Sequence, residues 1–417
     1  MNIVFLSNCY FLYIDPGTGS MLFAVFMGII GTLYFVLRGL FIKLKFIFTS
    51  GKVSKDNKKI PVVIFSEDKR YFSIFEPLLD EFENRKFKVV YMTCSEDDSV
   101  FNKNYQYIEP QYIGKGNIAF ARLNILNAYV LLATTPGLDV YQWKRSKSVD
   151  YYIHILHAPN EVLLYKMLGL DFYDAIFLSG KYQLNDIRAI EKIRNLKEKE
   201  IEFIGIPYLD YKKEKLLNSK RINNGNQKTV LLAPTWGDNG ILKRFGTSII
   251  GKLIDTGYNI VIRPHPQSYI SEKEMLDNLM SKYNGKNIEW NNDTDNFDIL
   301  NRSDILISDY SGVIFDFTLV FDKPIIYTDV KFDNSVYDAW WVDYKLWSFR
   351  ILEKLGHKLT EDNLNDLRNI IDECLCDEKY RIGREEARNE TWQNMGDNGK
   401  IAVDFIINKY ECFMKNN

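Results

Sequence analysis

Apolar positions along this chain come in short continuous runs that alternate with amphipathic stretches. The segments "IPVVIFSED" (60–68), "KVVYMTC" (88–94), "NAYVLLATTPG" (127–137) and "VDYYIHILHAPN" (149–160) hold consecutive β-branched or large apolar residues and then break into turn residues. Runs of that length and makeup predict strands buried on both faces. Between the first two, "FEPLLDEFENRKF" has helical spacing, and "YDAIFLSGKYQLNDIRAI" repeats strand, glycine turn and helix. "IEFIGIPYLD" closes this series. Strands alternating with helices predict a parallel sheet. Residues 211–228, "YKKEKLLNSKRINNGNQK", have few apolar positions and an Asn-Asn-Gly, and predict a linker. A second series follows: strands in "TVLLAPTWG", "YNIVIRPHP", "DILISD" and "KPIIYTD", with helical "RFGTSIIGKLIDTG" after the first. Residues 361–413 predict helices that close a domain. The expected architecture is α/β: two doubly wound parallel-sheet domains, 60–210 and 229–400, facing a cleft, with a C-terminal helix at 401–417.

The N-terminus breaks the pattern. Residues 16–37, "PGTGSMLFAVFMGIIGTLYFVL", carry no charge and are long enough to span a bilayer as a helix. Arg38, Lys43, Lys45, Lys52, Lys55, Lys58 and Lys59 follow, against Asp56 alone, whereas Asp15 is the one charge before the run. That asymmetry predicts a single-pass anchor over 1–45, with the N-terminus outside and the remaining domains cytoplasmic. The alternative is a buried core helix.

Composition narrows the classes. A chain of 417 residues, 46% hydrophobic and 26% charged, has the makeup of a folded protein. Its net charge of −2 gives no general attraction for nucleic acid. The five cysteines are odd in number, and their spacing suits neither zinc nor a disulfide framework, so no metal and a reducing compartment are expected.

Ligands of open parallel sheets sit beyond the carboxyl ends of the strands. The residues there are Thr235 and Trp236, Arg263 and His265 in "RPHP", His157, and Asp309, Ser311 and Gly312 in "SDYSGVIFDF" (308–317). A strand that turns through Ser-Asp-Tyr-Ser-Gly into a helix presents unpaired amides and the positive end of a helix dipole, which suit an anion. Ordinary capping by Ser311 is the alternative. Arg263 offers a planar fork for phosphate, and His265 a donor or a titrating group; a structural turn at Arg-Pro-His-Pro remains open. Together these loops predict a diphosphate pocket. Asp309 and Asp316 are placed to hold the turn or to meet a ribose hydroxyl, and for Asp316 a plain helix-surface position is equally open. His157, in the other half, is a candidate general base or a structural histidine. His154, three residues earlier, falls on the opposite strand face by alternation and reads as packing. "AWWVDYKLW" (339–347) suits either a membrane-facing cluster or packing between domains.

The blocks "VLLAPTW", "VIRPHP", "ILISDYSGVIFDFTLVFDKPIIY", "FIGIPYLD" and "MGDNGKIAVDFI" resemble the CDP-glycerol glycerophosphotransferase family of teichoic-acid primases and polymerases, over roughly 150–408. The resemblance implies a GT-B fold with the nucleotide on the C-terminal half. It implies transfer of glycerol phosphate, or a related polyol phosphate, from a CDP-linked donor to a hydroxyl of a lipid-linked glycan or polymer acceptor at the membrane, releasing CMP, with no cofactor and no obligatory metal. His157 and His265 would be catalytic. Arg263, Asp309, Ser311, Gly312, Thr235 and Asp316 would hold the donor. Where the family often reads Trp-His-Gly-Thr, this chain has "LHAPNEV", so His157 alone carries over; Gly237 stands where an arginine often follows the Ala-Pro-Thr-Trp block. The rival readings are a GT-B glycosyltransferase using a nucleotide-sugar and an inactive membrane-tethered scaffold.

Overall fold

The computed structural model describes residues 25–38, 58–219, 227–285, 287–293, 295–328, 335 and 337–416. The chain forms two units, 1–58 and 59–417. Within the first, residues 25–38 are helical and Thr32 Oγ1 donates to the Gly28 carbonyl at 2.8 Å. Its apolar side chains are exposed, Phe26 at 66% and Phe35 at 68%. Among the described residues no helix is long and apolar enough to cross a membrane. Residues 16–24 of the uncharged run lie outside the described residues.

The second unit holds two parallel sheets. The first contains β1 (Ile60–Ser66), β2 (Val89–Thr93), β3 (Ile108–Tyr112), β4 (Ala128–Ala133), β5 (Val149–Ile155), β6 (Ala175–Leu178) and β7 (Glu200–Phe203), in the order β3-β2-β1-β4-β5-β6-β7. The second contains β8 (Thr229–Ala233), β9 (Asn259–Ile262), β10 (Ile288–Trp290), β11 (Ile305–Ser308), β12 (Ile325–Thr328) and β13 (Gly356–Leu359), in the order β10-β9-β8-β11-β12-β13. Each order reverses once, between β1 and β4 and between β8 and β11, which is where such sheets take ligands. The apolar runs form these central strands because both of their faces are covered. Val63 and Phe65 of β1 enter one core layer while Val62 and Ile64 enter the other. In the second sheet Leu231 faces one layer, and Val230 and Leu232 the opposite one.

Two stretches differ from the sequence expectation. Residues Pro207–Asn218 are a helix and occupy the first half of the segment read as a linker. Only Pro207 and Leu209 of this helix are buried. Its lysines dock it, with Lys212 Nζ 2.6 Å from Asp316 Oδ2 and Lys215 Nζ 2.8 Å from Asp295 Oδ2. Charge docking leaves little apolar signal in sequence. The last helix, Asn398–Asn416, returns to the first sheet, where Ala402, Val403 and Ile406 pack with Val62 and Ile64. The return is fastened by Asp210, whose carboxylate accepts from Trp392 Nε1 at 2.8 Å and from the amides of Gly396 and Asn398 at 2.9 and 3.3 Å. Gly205 (φ +77) makes room for the turn that crosses it: a Cβ there would sit 2.1 Å from the Gln393 carbonyl oxygen.

The 337–348 segment clasps the two halves of this unit. Asp338 pairs with Arg194, Tyr344 donates to Asp186 at 2.6 Å, and the Ser348 amide and hydroxyl donate to Glu161 at 2.6 and 2.7 Å. Ala339 and Leu346 join the core of the first sheet and Trp347 that of the second. The aromatic stretch therefore packs between the halves, with Trp340 left 57% exposed.

Candidate active site

At the reversal point of the second sheet, the end of β11 is sewn to the loop after β8. Ser308 Oγ donates to the Ala233 carbonyl at 2.6 Å. The Asp309 carboxylate accepts from the Thr235 amide at 2.9 and 3.0 Å and from the Ile241 amide at 3.0 Å. Asp309 has no solvent exposure. Burial lifts its pKa above the usual carboxylate value, against those amides. It therefore shapes the turn and fixes Thr235; a direct ribose contact does not fit a fully buried side chain. The following loop bends at Gly237 (φ +93), whose amide donates to Glu272 Oε1 at 2.9 Å.

Ser311 and Gly312 open the helix Val313–Phe315, which continues as a π-turn through Asp316–Val320. No side chain caps this start, so Ser311 is not spent on capping. Gly312 is exposed, and a Cβ at that position would touch nothing within 4 Å. Asp316 is 8% exposed and turned toward helix Pro207–Asn218, where Tyr208 donates to it at 3.1 Å and Lys212 at 2.6 Å. It holds that helix and is not brought to the turn.

Arg263 and His265 follow β9. The Arg263 guanidinium donates to the Asn291 side chain and, at 2.7 Å, to the Asp293 carbonyl, tying β9 to the loop after β10. His265 Nδ1 accepts the Gln267 amide at 3.1 Å, which leaves the proton of a neutral ring on Nε2. Burial, then the nearby Arg70 charge, lowers its pKa below the ordinary value of 6.5. His265 is thus a neutral N–H donor near a cation from the first half. Among the described residues no hydrogen bond links Arg263 or His265 to the 308–312 turn.

His157 stands just past the end of β5 and lines a cavity of about 230 Å³ with Asn160, Glu161, Tyr165, Tyr310 and Tyr337. The cavity joins the halves: Asn160 Nδ2 donates to the Tyr310 hydroxyl at 3.1 Å, and that hydroxyl is 3.2 Å from Ser348 Oγ. Tyr310 stacks on Phe349 with centroids 4.7 Å apart. The Tyr71 ring, from the loop after β1, lies 5.4 Å from the His157 ring. Burial lowers the His157 pKa below 6.5, so the ring is neutral near pH 7. His157 Nδ1 has Thr134 Oγ1 at 3.2 Å and the Tyr165 hydroxyl at 3.3 Å. His154 is not on a separate face. Its Nε2 lies 3.2 Å from the same Tyr165 hydroxyl. Alternation fails because β5 ends at Ile155, before His157.

Sequence reasoning passed over Tyr310, Tyr165, Thr134, Asn160 and Glu161. Tyr310 and Thr134 had a readable signal, since Thr134 directly follows β4 and Tyr310 lies two residues past the end of β11. Among the described residues no group of three or more His, Cys, Asp or Glu is arranged to hold a metal ion.

A profile of the family described as CDP-Glycerol:Poly(glycerophosphate) glycerophosphotransferase matches residues 170–395. The teichoic acid glycerol-phosphate primase of Bacillus subtilis (strain 168) is 28% identical over 160 residues, which are 37% of this chain and 39% of the relative. The match thus spans well under two thirds of that protein's length. Among solved structures, the wall teichoic acid polymerase TagF superposes with a TM-score of 0.57 at 17% identity, over 92% of this chain and 99% of that one. A putative UDP-N-acetylglucosamine 2-epimerase from Listeria monocytogenes gives 0.56 at 14% identity, over 85% and 97%. These likenesses establish the two-domain, GT-B-like fold. By its match across more than half its length, the chain belongs to the CDP-glycerol:poly(glycerophosphate) glycerophosphotransferase family.

Proposed function

We propose that this protein transfers glycerol phosphate, or a related polyol phosphate, from a CDP-linked donor to a hydroxyl of a membrane- or lipid-linked acceptor, releasing CMP, in teichoic acid or other cell-envelope polymer synthesis. One observation carries the reading: a neutral histidine, His157, and the strand-end turn bearing Tyr310 line one cavity from opposite halves. The acceptor oxygen bonds to the donor's outer phosphorus, the bridging P–O bond breaks, and CMP leaves with the electron pair. His157 takes the hydroxyl proton. Such a reaction asks the protein for position, charge stabilisation and a base. The His265 Nε2–H and the Arg263 guanidinium would meet the phosphates, beside the amides opening the helix after Ser311 and Gly312. Asp309 would hold Thr235 and the turn in place. No cofactor and no resident metal enters this scheme.

The uncharged run at 16–37 and the lysines after it support a single N-out span with the second unit in the cytoplasm. A reporter fused after Asn417 should be active on the cytoplasmic side, and recovery of full-length protein in the soluble fraction would remove the anchor. The activity itself is tested by offering the purified chain CDP-glycerol, CDP-ribitol and nucleotide-sugars with a hydroxyl acceptor. CMP release with a CDP-polyol is expected. Nucleoside diphosphate release with a sugar donor would replace the reading by glycosyl transfer, and no turnover with any donor would favour a scaffold.

A further inference from the structure

His154 has no solvent exposure, and its Nδ1 is buried without a hydrogen-bond partner. Among the described residues its one hydrogen-bonding contact is Nε2 to the Tyr165 hydroxyl, the same hydroxyl that meets His157 Nδ1. Around His154 the Tyr165 and Tyr173 rings lie at 5.3 and 4.9 Å, and the Tyr173 hydroxyl donates to the Thr135 carbonyl. On the His157 side are Tyr71, Thr134 and Tyr165. Glu161, Tyr310 and Tyr337 line the cavity that His157 shares. The partners of His157 Nδ1 are thus two hydroxyls, where a histidine base is commonly oriented by a carboxylate.

The contacts set the direction of the protons. Two hydroxyl oxygens converge on one ring nitrogen. An N–H can be shared between two acceptors, whereas a single lone pair cannot take two donors well. Nδ1 of His157 is then the N–H, and Nε2 holds the lone pair. Tyr165, accepting from His157, sends its own proton to His154 Nε2. His154 in turn carries its proton on Nδ1, the atom left without a partner. Buried orphans of this kind are rare and call for a functional account.

We propose that His154 is a positioning residue for the base: through the Tyr165 hydroxyl it holds His157 in the Nδ1–H tautomer, leaving Nε2 to take the acceptor's proton. The inference rests on His157 serving as the base. The proton stays on His157, because passing it along the chain would place a positive charge on a fully buried ring with no counter-ion. The bonds of 3.2 and 3.3 Å are long, as catalytic bonds often are before substrate binds.

The test is nitrogen NMR on the full chain with labelled histidine. The sequence has only four histidines, and a His157→Gln variant assigns the signal. The wild type should show His157 protonated at Nδ1 and bare at Nε2. In His154→Leu the proton should move to Nε2, and kcat should fall on the order of tenfold or more with donor KM unchanged, as when a base loses its tautomer partner. His154→Gln, whose side-chain oxygen can accept from Tyr165, should restore most of both. A wild-type His157 protonated at Nε2, or a tautomer unmoved in His154→Leu, would overturn the proposal. The wild-type spectrum decides alone if His154→Leu fails to fold. It needs no turnover, so a protein that released no CMP but showed these tautomers would lose the transfer reading, and with it the base, and keep only the control of the His157 tautomer by His154.

Discussion

A histidine tests differently from the acids around it, because the acids here are committed to the protein. Among the described residues the His157 side chain pairs with two hydroxyls and two tyrosine rings, and no backbone group hydrogen-bonds to it. Its replacement by alanine should cut turnover by about 10²–10⁴-fold, the usual contribution of a positioned base, while CDP-glycerol binding measured by calorimetry changes little. Burial lowers its pKa, so the acid limb of the pH–rate profile should lie below 6.5, with activity lost as pH falls through the folded value and the ring takes up a proton. A limb at or above 6.5, or full turnover in His157→Ala, would remove it as the base. Asp309 should behave oppositely. Alanine there orphans the Thr235 and Ile241 amides, at a cost of about 1–3 kcal/mol for each buried unpaired donor, so chemical denaturation should register the loss before any change in donor specificity. The strand-end positions of both residues were legible in sequence. Their roles were not, because which amides a carboxylate captures depends on a loop 68 or more residues away in the chain.

Among the elements, legibility followed depth in the sheet. The central strands announce themselves through unbroken apolar runs, whereas edge strand β7, "EIEF", was legible through its alternation and the apolar residues that follow it in "IEFIGIPYLD". The unpredicted strands β3, β10 and β13 are all edges, and their sequences "IEPQY", "IEW" and "GHKL" mix polar with apolar positions. Only one neighbour covers an edge, so little apolar patterning is required of it. The helix inside the expected linker escaped for a related reason, since it docks through Lys212 and Lys215. "FIGIPYLD" and "MGDNGK" prove to be the two sides of one joint: Asp210 in the first holds Trp392, Gly396 and Asn398 at the second. Asp210→Ala frees three donors where the chain returns to the first sheet. The expected loss is about 2–4 kcal/mol, with protease cutting first between 392 and 398 as the last helix detaches. Unchanged stability would mean that Ala402, Val403 and Ile406 hold the helix without the joint.

For the second unit as a whole, the seam between its halves is built from acids of the first gripping one segment of the second: Glu161 on Ser348, Asp186 on Tyr344, and Arg194 on Asp338 as the reverse case. Two of these acids are buried close enough to feel each other. Burial first, and then the Glu161 charge, push the Asp186 pKa up to about 7 from an ordinary 3.8. Between those values the folded chain holds a proton that the unfolded chain has released. Folding is therefore favoured at the acid end, and stability should fall as pH rises from about 4 to about 7, by up to about 1.4 kcal/mol per pH unit from this group. Asp186→Asn keeps an oxygen for the Tyr344 hydroxyl but cannot titrate. Urea unfolding of both proteins across that range should give a difference that tilts steadily in favour of the asparagine variant as pH rises. Above pH 7 the wild type carries an ionised carboxylate 3% exposed, with one oxygen unpartnered, so the tilt should level off there. Parallel curves would show that Asp186 is ionised at the seam throughout, and that the two carboxylates are separated by more solvent than the packed segment 337–348 allows.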